Sequence, residues 1–359
     1  ICIQYGSPDS LSIASKTPEI GGVMVSRRGF LASTALIALS PPKARALSRL
    51  AAEAELDQFI RAKMDRDHIP GVAACLCTVD GIKWAGTYGL ADLERRTPMT
   101  IDSIQNICSI SKTFTTTALM QVYEAGRFKL DDDVNDYLPF PVRNPQHPAA
   151  KITFRHLLTH RSSIRDGISY ARHYACADPS LALGDWLRGY FTEKGADYDA
   201  AENFHPWAPG TEWEYCNLAY GLLAYLAETI GGIPFPVLCR ERIFAPLGMK
   251  DTEFWLPQDK RRALASLYAY DEAMGKLSKV EIDMYDTPPA YTPGGGGLIS
   301  TADDYHRFAR MLLGEGAFDG VRLLRGETVR LMTTNRLTPS QRQAPFVGMP
   351  LWQKSGFGL

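Results

Sequence analysis

Apolar positions keep helical spacing over residues 47–66, 109–126 and 217–231, the second stretch closing at Gly126 and the third at Gly231-Gly232. Each spacing predicts a helix, with glycine marking where it stops. Between the first two stretches the period changes. "IPGVAACLCTVDGIKWAGTYGLAD" holds two β-rich runs on either side of Asp80-Gly81, the pattern of a hairpin. Cys75 and Cys77 lie two apart there, on one strand face, and read as core. "KLDDDVNDYLP" predicts a polar turn into a short helix, with Asp131, Asp132 and Asp133 as solvated carboxylates at its start rather than a metal site.

Further along, residues 151–164 start β-like and continue as a short amphipathic helix, and 232–248 form another helix ending near Gly248. Residues 165–208 are aromatic, charged and irregular, as a lid or pocket wall would be. "TPGGGGLIS" is a glycine turn into a capped helix, with Ser300 or Thr301 as N-cap and Asp303 and Asp304 in the first turn. No internal repeat or low-complexity segment interrupts the chain. Strand signals gather at the chain ends and helices in the middle, which predicts an α+β layout rather than βαβ alternation.

Composition narrows the function classes. The 359 residues are 45% hydrophobic and 22% charged, with a net charge of −1, which is ordinary globular balance. No basic run with interleaved aromatics points to nucleic acid, and no stretch of about 20 apolar residues predicts a membrane span. The seven cysteines form no C-x-x-C pair and no zinc-like spacing. His156 and His160 sit four apart on a predicted helix with no third ligand in view, so they read as hydrogen-bonded core or turn histidines. Neither metal nor cofactor is expected.

The N-terminal region carries an address. Met24 is followed by "VSRRGFLASTALIALSPPKARA", in which a basic pair, Arg27-Arg28, precedes an apolar run and a small-x-small cleavage form at Ala44-Arg45-Ala46. "SRRGFL" is similar to the twin-arginine export signal. Residues 1–23 are then expected to be a non-native upstream extension, 24–46 the signal, and 47–359 the mature domain, periplasmic or secreted.

The chemistry starts at "ICSISKTFTTTALM", where Ser109 and Lys112 lie three apart and share a helix face. A serine at a helix N-terminus gains help in stabilising an alkoxide or oxyanion, and an adjacent amine can take its proton if desolvation lowers its pKa. Alone, this spacing equally describes an N-cap serine with a lysine reaching solvent. Tyr215 and Asn217 stand at the start of the helix predicted at 217–231, where a phenol can shuttle a proton and an amide can hold a carbonyl. The run Gly294–Gly297 marks backbone that comes close to something. A G-x-S-x-G elbow is absent, and the nearest string, at Gly167-Ile168-Ser169-Tyr170-Ala171, lacks its second glycine.

In order along the chain, "ICSISKTFTTTALMQVYEAGRFKLDDDVNDYLP", "ITFRHLLTHRSSI", "PGTEWEYCNLAYGLLAYLAETIGG" and "GGGGLISTADDYHRFARMLL" resemble the serine β-lactamase-like family over roughly residues 55–335. That family includes class C β-lactamases, D-alanyl-D-alanine carboxypeptidases and family VIII esterases. The resemblance implies an antiparallel sheet built from both chain ends, flanked by helices and packed against a mainly helical region near 130–290, with the site between them. It implies Ser109 as nucleophile, Lys112 as the group that assists its deprotonation, and Tyr215 as proton shuttle and base for the deacylating water. Asn217 would steady Lys112 and the substrate, and the Ser109 backbone N–H would supply one oxyanion donor. Ser111 should point elsewhere. Trp207, which with Trp186, Tyr190 and Trp213 brackets the presumed pocket wall, and the backbone at Gly295 and Gly296 are further candidate substrate contacts.

One departure stands out. The family's third motif, of Lys-Thr-Gly, His-x-Gly or Trp-Gly-Gly type, has no clear match before Leu359, and Lys354-Ser355-Gly356 matches it only superficially. The domain is therefore expected to be incomplete at its C-terminus. The expected activity is hydrolysis of a small carboxylic ester through an acyl-enzyme on Ser109. A lactam or D-Ala-D-Ala peptide substrate is the rival reading, and a non-catalytic penicillin-binding sensor domain is the rival from another class.

Overall fold

The hairpin signal at Asp80-Gly81 is realised as β1 (Gly71–Thr78) and β2 (Gly81–Asp92), antiparallel and closed by Gly81 at φ 143°. The computed structural model describes residues 42–173, 181–281, 285, 294–339 and 341. The upstream extension, most of the signal segment, Cys2, Cys176 and Lys354-Ser355-Gly356 lie outside the described residues. Helix α1 (Pro42–Arg66) leads into β1, and β3 (Thr97–Pro98) completes a three-stranded sheet of order β1-β2-β3. β4 (Gln105–Asn106) then delivers the chain to α2 (Ser111–Glu124).

Helix α2 is the centre of the fold. Phe114, Ala118, Leu119 and Met120 are wholly buried along it, and its threonines are buried too. Thr117 donates to the carbonyl of Thr113 at 2.9 Å, which lets a polar residue sit inside. The middle of the chain supplies α3 (Phe154–Leu158), α4 (Ile168–His173), α5 (Leu183–Phe191) and α6 (Asn217–Gly231); α6 packs directly on α2, and α3 and α5 pack on α6. Cys216 caps α6 by accepting the Ala219 N–H, and Gly232 ends it at φ 74°, left-handed as glycine allows.

The described residues of 165–208 carry more regular structure than their composition predicts. Leu183, Trp186, Leu187 and Tyr190 recur at helical spacing in α5 and are buried in the core. The stretch 232–248 also differs from one plain helix. It runs as α7 (Phe235–Cys239), a π-turn at Arg240–Phe244 and α8 (Ala245–Leu247), ending at Gly248 with φ 68°. Pro246 explains the break: it donates no N–H, and its ring would strike the carbonyl four residues back in an α-helix, so the register widens there.

Within the mainly helical stretch lies a hairpin that apolar spacing does not predict, β5 (Leu267–Asp271) with β6 (Lys276–Val280). Its turn carries Gly275 at φ 59°, and Asp271 accepts the Met274 N–H at 2.9 Å. It docks on the end of β2, where Tyr268 accepts the Leu93 N–H and buried Asp92 accepts from Ser266 and Arg95. β7 (Ile299–Ser300) pairs antiparallel with β4, joining Asn106 to Ile299. This short ladder holds the glycine run beside the turn that precedes α2. Thr301 then caps α9 (Ala302–Leu313), which packs on β1 and so covers the sheet. β8 (Ala317–Phe318), β9 (Val321–Arg322) and α10 (Gly326–Thr333) follow. Among the described residues no single helix is long and apolar enough to cross a membrane; α6 with the following helical segment passes together, bent by 81°, but most of α6 is buried in the core.

Candidate active site

Ser109 sits in a single 3₁₀ turn, Cys108–Ile110, immediately before α2. The helix therefore starts two residues later than its spacing predicts. Cys108 takes φ 48°, a left-handed conformation that is uncommon for a residue with a Cβ. Its N–H donates to the Asn106 side chain at 2.8 Å and its carbonyl accepts from the Ser111 hydroxyl at 2.5 Å, so the tight bend is held from both sides. The result separates two neighbours: Ser109 is exposed, whereas Lys112, one turn on, is only 3% exposed.

Three acceptors surround the Lys112 amine. Nζ lies 3.1 Å from Ser109 Oγ, 2.7 Å from Asn217 Oδ1 and 2.5 Å from the Gly295 carbonyl. An ammonium has three protons and satisfies all three. A neutral amine has two protons and one lone pair. Asn217 and Gly295 offer only acceptor oxygens, so they hold the two protons and leave the lone pair for the serine, whose hydroxyl can donate. Burial lowers the Lys112 pKa from its ordinary 10.5 to about 7, opposed by Asp166, Cys216 and Cys108 nearby. The amine is thus poised to lose a proton at neutral pH.

Tyr215 completes the constellation. Its hydroxyl donates to Ser109 Oγ at 2.7 Å, and Lys112 Nζ stands 4.8 Å from its ring centroid. Ser109, Lys112, Tyr215 and Asn217, separate in the chain by up to 108 positions, meet in one hydrogen-bonded cluster. Ser111 points away: it is buried, donating to the Cys108 carbonyl and accepting the Leu298 N–H at 3.2 Å.

The glycine run serves the lysine. Gly294 has φ 60°, and a Cβ there would meet Ala224 Cβ at 2.5 Å and the Tyr220 carbonyl at 2.6 Å. Only glycine lets this turn lie on α6. The Gly294 carbonyl accepts from Thr115 at 2.6 Å, and the next carbonyl, of Gly295, accepts from Lys112. A Cβ on Gly295 would lie 3.0 Å from the Asn217 carbonyl and 3.5 Å from Lys112 Nζ, whereas one on Gly296 would meet only the Cys108 carbonyl, at 4.0 Å. Trp207 stacks on His205 with centroids 5.0 Å apart, and its carbonyl accepts from Asn144; these contacts do not reach Ser109. Trp186 and Trp213 are buried as packing.

Two residues of the surround were not singled out as part of the site by sequence reasoning. His160 is buried at φ 55°, and its Nδ1 accepts the Cys216 N–H at 3.1 Å. Burial and Lys112 push its pKa to about 3, so it is a neutral acceptor that fixes the backbone between Tyr215 and Asn217. Asp166 accepts the N–H groups of Asn217 and Leu218, both at 2.8 Å, and the Asn217 side-chain amide at 2.9 Å. The repeated proximity of "THRSSIRDG" to a helix start cannot be read from spacing, so only the fold exposes this link. Among the described residues no group of three or more His, Cys, Asp or Glu side chains is placed to hold a metal ion. Asp131 and Asp133 instead pair with Arg155 and Arg143, and Asp132 accepts from Tyr137.

Comparison with known proteins places this geometry in context. The Beta-lactamase family matches residues 56–358. An uncharacterised protein of Mycobacterium tuberculosis is 33% identical over 316 residues, covering 84% of this chain and 76% of that protein. Penicillin-binding protein 4 of Amycolatopsis lactamdurans is 30% identical over 272 residues, covering 74% of this chain and 65% of the relative, just under two thirds of its length. Esterase EstB of Burkholderia gladioli is 25% identical over 288 residues, covering 74% and 71%. The solved structure of EstCE1, a hydrolase with promiscuous acyltransferase activity, superposes with a TM-score of 0.70 at 24% identity, covering 87% of this chain and 83% of its own.

Proposed function

The chain belongs to the beta-lactamase family, and we propose that within it the protein is a serine hydrolase that forms an acyl-enzyme on Ser109 and acts on small carboxylic esters. The observation that carries this reading is the exposed Ser109 hydroxyl held between the buried Lys112 amine at 3.1 Å and the Tyr215 hydroxyl at 2.7 Å. Serine Oγ attacks the ester carbonyl carbon, and its proton passes to the Lys112–Tyr215 pair. The carbonyl oxygen becomes an oxyanion, stabilised by the Ser109 backbone N–H. The tetrahedral intermediate collapses, the C–O bond to the alcohol breaks, and the pair returns the proton to the leaving alkoxide. Water then attacks the acyl carbonyl carbon as the Lys112–Tyr215 pair takes its proton. The second tetrahedral intermediate collapses, the bond between the acyl carbon and Ser109 Oγ breaks, the pair returns the proton to Oγ, and the carboxylic acid leaves. General acid–base help of this kind is worth about 10²- to 10⁴-fold per step.

Preference for esters rests on the resemblance of residues 294–313 to the esterase-like branch and on the similarity to EstB. The similarity to penicillin-binding protein 4 supports a second reading, with a D-Ala-D-Ala peptide or β-lactam as acyl donor. The test is to incubate the protein with p-nitrophenyl butyrate and, separately, a chromogenic cephalosporin, following the Ser109 adduct by intact mass. Ester turnover with little cephalosporin cleavage is the expected result. Fast cephalosporin turnover makes the protein a lactamase, a stable adduct without turnover makes it a peptidase or sensor, and no adduct on either substrate defeats the serine mechanism.

A further inference from the structure

We propose that Asp166 is a positioning residue for the acylation step: by accepting from the Asn217 side-chain amide it turns the Asn217 oxygen onto Lys112 and so aims the lysine lone pair at Ser109. This rests on the acyl-enzyme reading above and deepens it.

The geometry is specific. An asparagine amide has two ends of opposite character, one accepting and one donating. Asn217 Nδ2 donates to Asp166 Oδ2 at 2.9 Å, while Oδ1 accepts from Lys112 Nζ at 2.7 Å. Turning the amide over would set its oxygen against the carboxylate, a repulsive contact, and would face its NH₂ to the lysine nitrogen, where it repels the ammonium or occupies the lone pair that Ser109 needs. Asp166 therefore permits one orientation only. Asp166 itself is fixed in place, because both of its oxygens are fully used. Oδ2 accepts the Asn217 N–H and side-chain amide, and Oδ1 accepts the Leu218 N–H at 2.8 Å and the Cys216 thiol at 3.3 Å. The four donors match the roughly four lone-pair positions of a carboxylate. All four come from the first turn of α6 or its cap, where a negative charge is also favoured by the helix dipole.

The same carboxylate acts on the lysine through space. The groups around Lys112 are Asp166, Cys216 and Cys108, the neutral His160, and the rings of Tyr215 and Tyr220 at 4.8 and 5.6 Å. Burial holds the Cys216 thiol well above its ordinary range, so it stays uncharged. Asp166 is the largest influence opposing the desolvation of Lys112. Its removal should lower the lysine pKa further, whereas loss of a mere helix cap would leave that pKa alone.

The experiment compares Asp166→Asn and Asp166→Glu with the unmodified protein in three readouts: the Lys112 titration by side-chain NMR, the pH dependence of Ser109 acylation by p-nitrophenyl butyrate, and thermal stability. In Asp166→Asn the Lys112 inflection and the acidic limb of the acylation profile should both move down by about one pH unit. Acylation at its plateau should fall about ten- to a hundredfold through lost orientation. Asp166→Glu, which keeps the charge, should return the inflection most of the way. An unchanged plateau rate in Asp166→Asn overturns the proposal whatever the inflection does, because the carboxylate then acts on Lys112 as a charge only. A rate that falls only as far as thermal stability does, with the inflection unmoved, overturns it as a structural cap. Unmodified protein that forms no adduct defeats the acyl-enzyme reading by itself; the NMR titration then still decides whether Asp166 sets the amine.

Discussion

Replacing Lys112 by methionine tests the central electrostatic claim through stability rather than through activity. The amine is 3% exposed and its pKa falls from 10.5 to about 7 on folding. The unfolded chain therefore binds one more proton than the folded chain between those two values. Stability must rise with pH across that window, by about 1.4 kcal/mol per pH unit. From pH 7 to 10.5 the gain amounts to about 5 kcal/mol, fully present above the unfolded pKa and lost as pH falls to the folded one. Lys112→Met has no such group. Its absolute stability is offset by the orphaned Asn217 and Gly295 oxygens, at about 1–3 kcal/mol each, but that offset does not titrate. The assay is urea unfolding of both proteins at pH 6, 7, 8, 9 and 10, taking the difference at each pH so that all other titrating groups cancel. The difference should be flat up to pH 7 and then climb in favour of the unmodified protein. A difference that stays flat to pH 10 would mean an amine protonated throughout the neutral range, unable to accept the Ser109 proton. Acylation should show the same group directly, rising through pH 7 as the amine loses its proton.

Tyr215→Phe removes the hydroxyl 2.7 Å from Ser109 Oγ while keeping the ring that Lys112 faces. Turnover should fall about 10²- to 10⁴-fold with stability nearly unchanged, and an unaltered rate would take Tyr215 out of the proton path. Gly294→Ala places a methyl 2.5 Å from Ala224 Cβ at a φ of 60°, and should destabilise the fold by about 2–4 kcal/mol in a thermal or denaturant melt. Gly232→Ala, at φ 74° but with nothing within 4 Å, supplies the contrast: it should lose about 1–2 kcal/mol, and equal losses at the two sites would refute the close approach at Gly294.

The parts of the site that were legible in the chain are those set by local periodicity. Ser109 and Lys112 lie three residues apart at a helix start, and that spacing alone puts them on one face. Thr301 announces its cap through the acidic residues behind it, and Gly126, Gly232 and Gly248 end their helices because each takes a positive φ. Tyr215 and Asn217 were legible only through resemblance, since nothing in their own neighbourhood requires them to face residues a hundred positions earlier. The hairpin at 267–280 left no strict apolar–polar alternation in the chain, since Leu267, Tyr268, Ala269 and Tyr270 run together, so spacing did not mark it.

What the tertiary structure alone decided is the chemistry of the pieces. In the sequence Ser109 could equally be a cap and Lys112 a solvent-seeking side chain. Burial beneath the Gly294–Gly297 turn and α6 settles that the amine is desolvated, and desolvation is a property of everything packed around a group, not of its neighbours in the chain. The choice between Ser109 and Ser111 turns on the left-handed bend at Cys108, which aims one hydroxyl outward and buries the other. Asp166 lies 51 residues from Asn217, and a hydrogen bond across that separation leaves no periodic trace. Local spacing determined which residues could meet within one element; only the packing of distant elements decided their charge, their orientation and their partners.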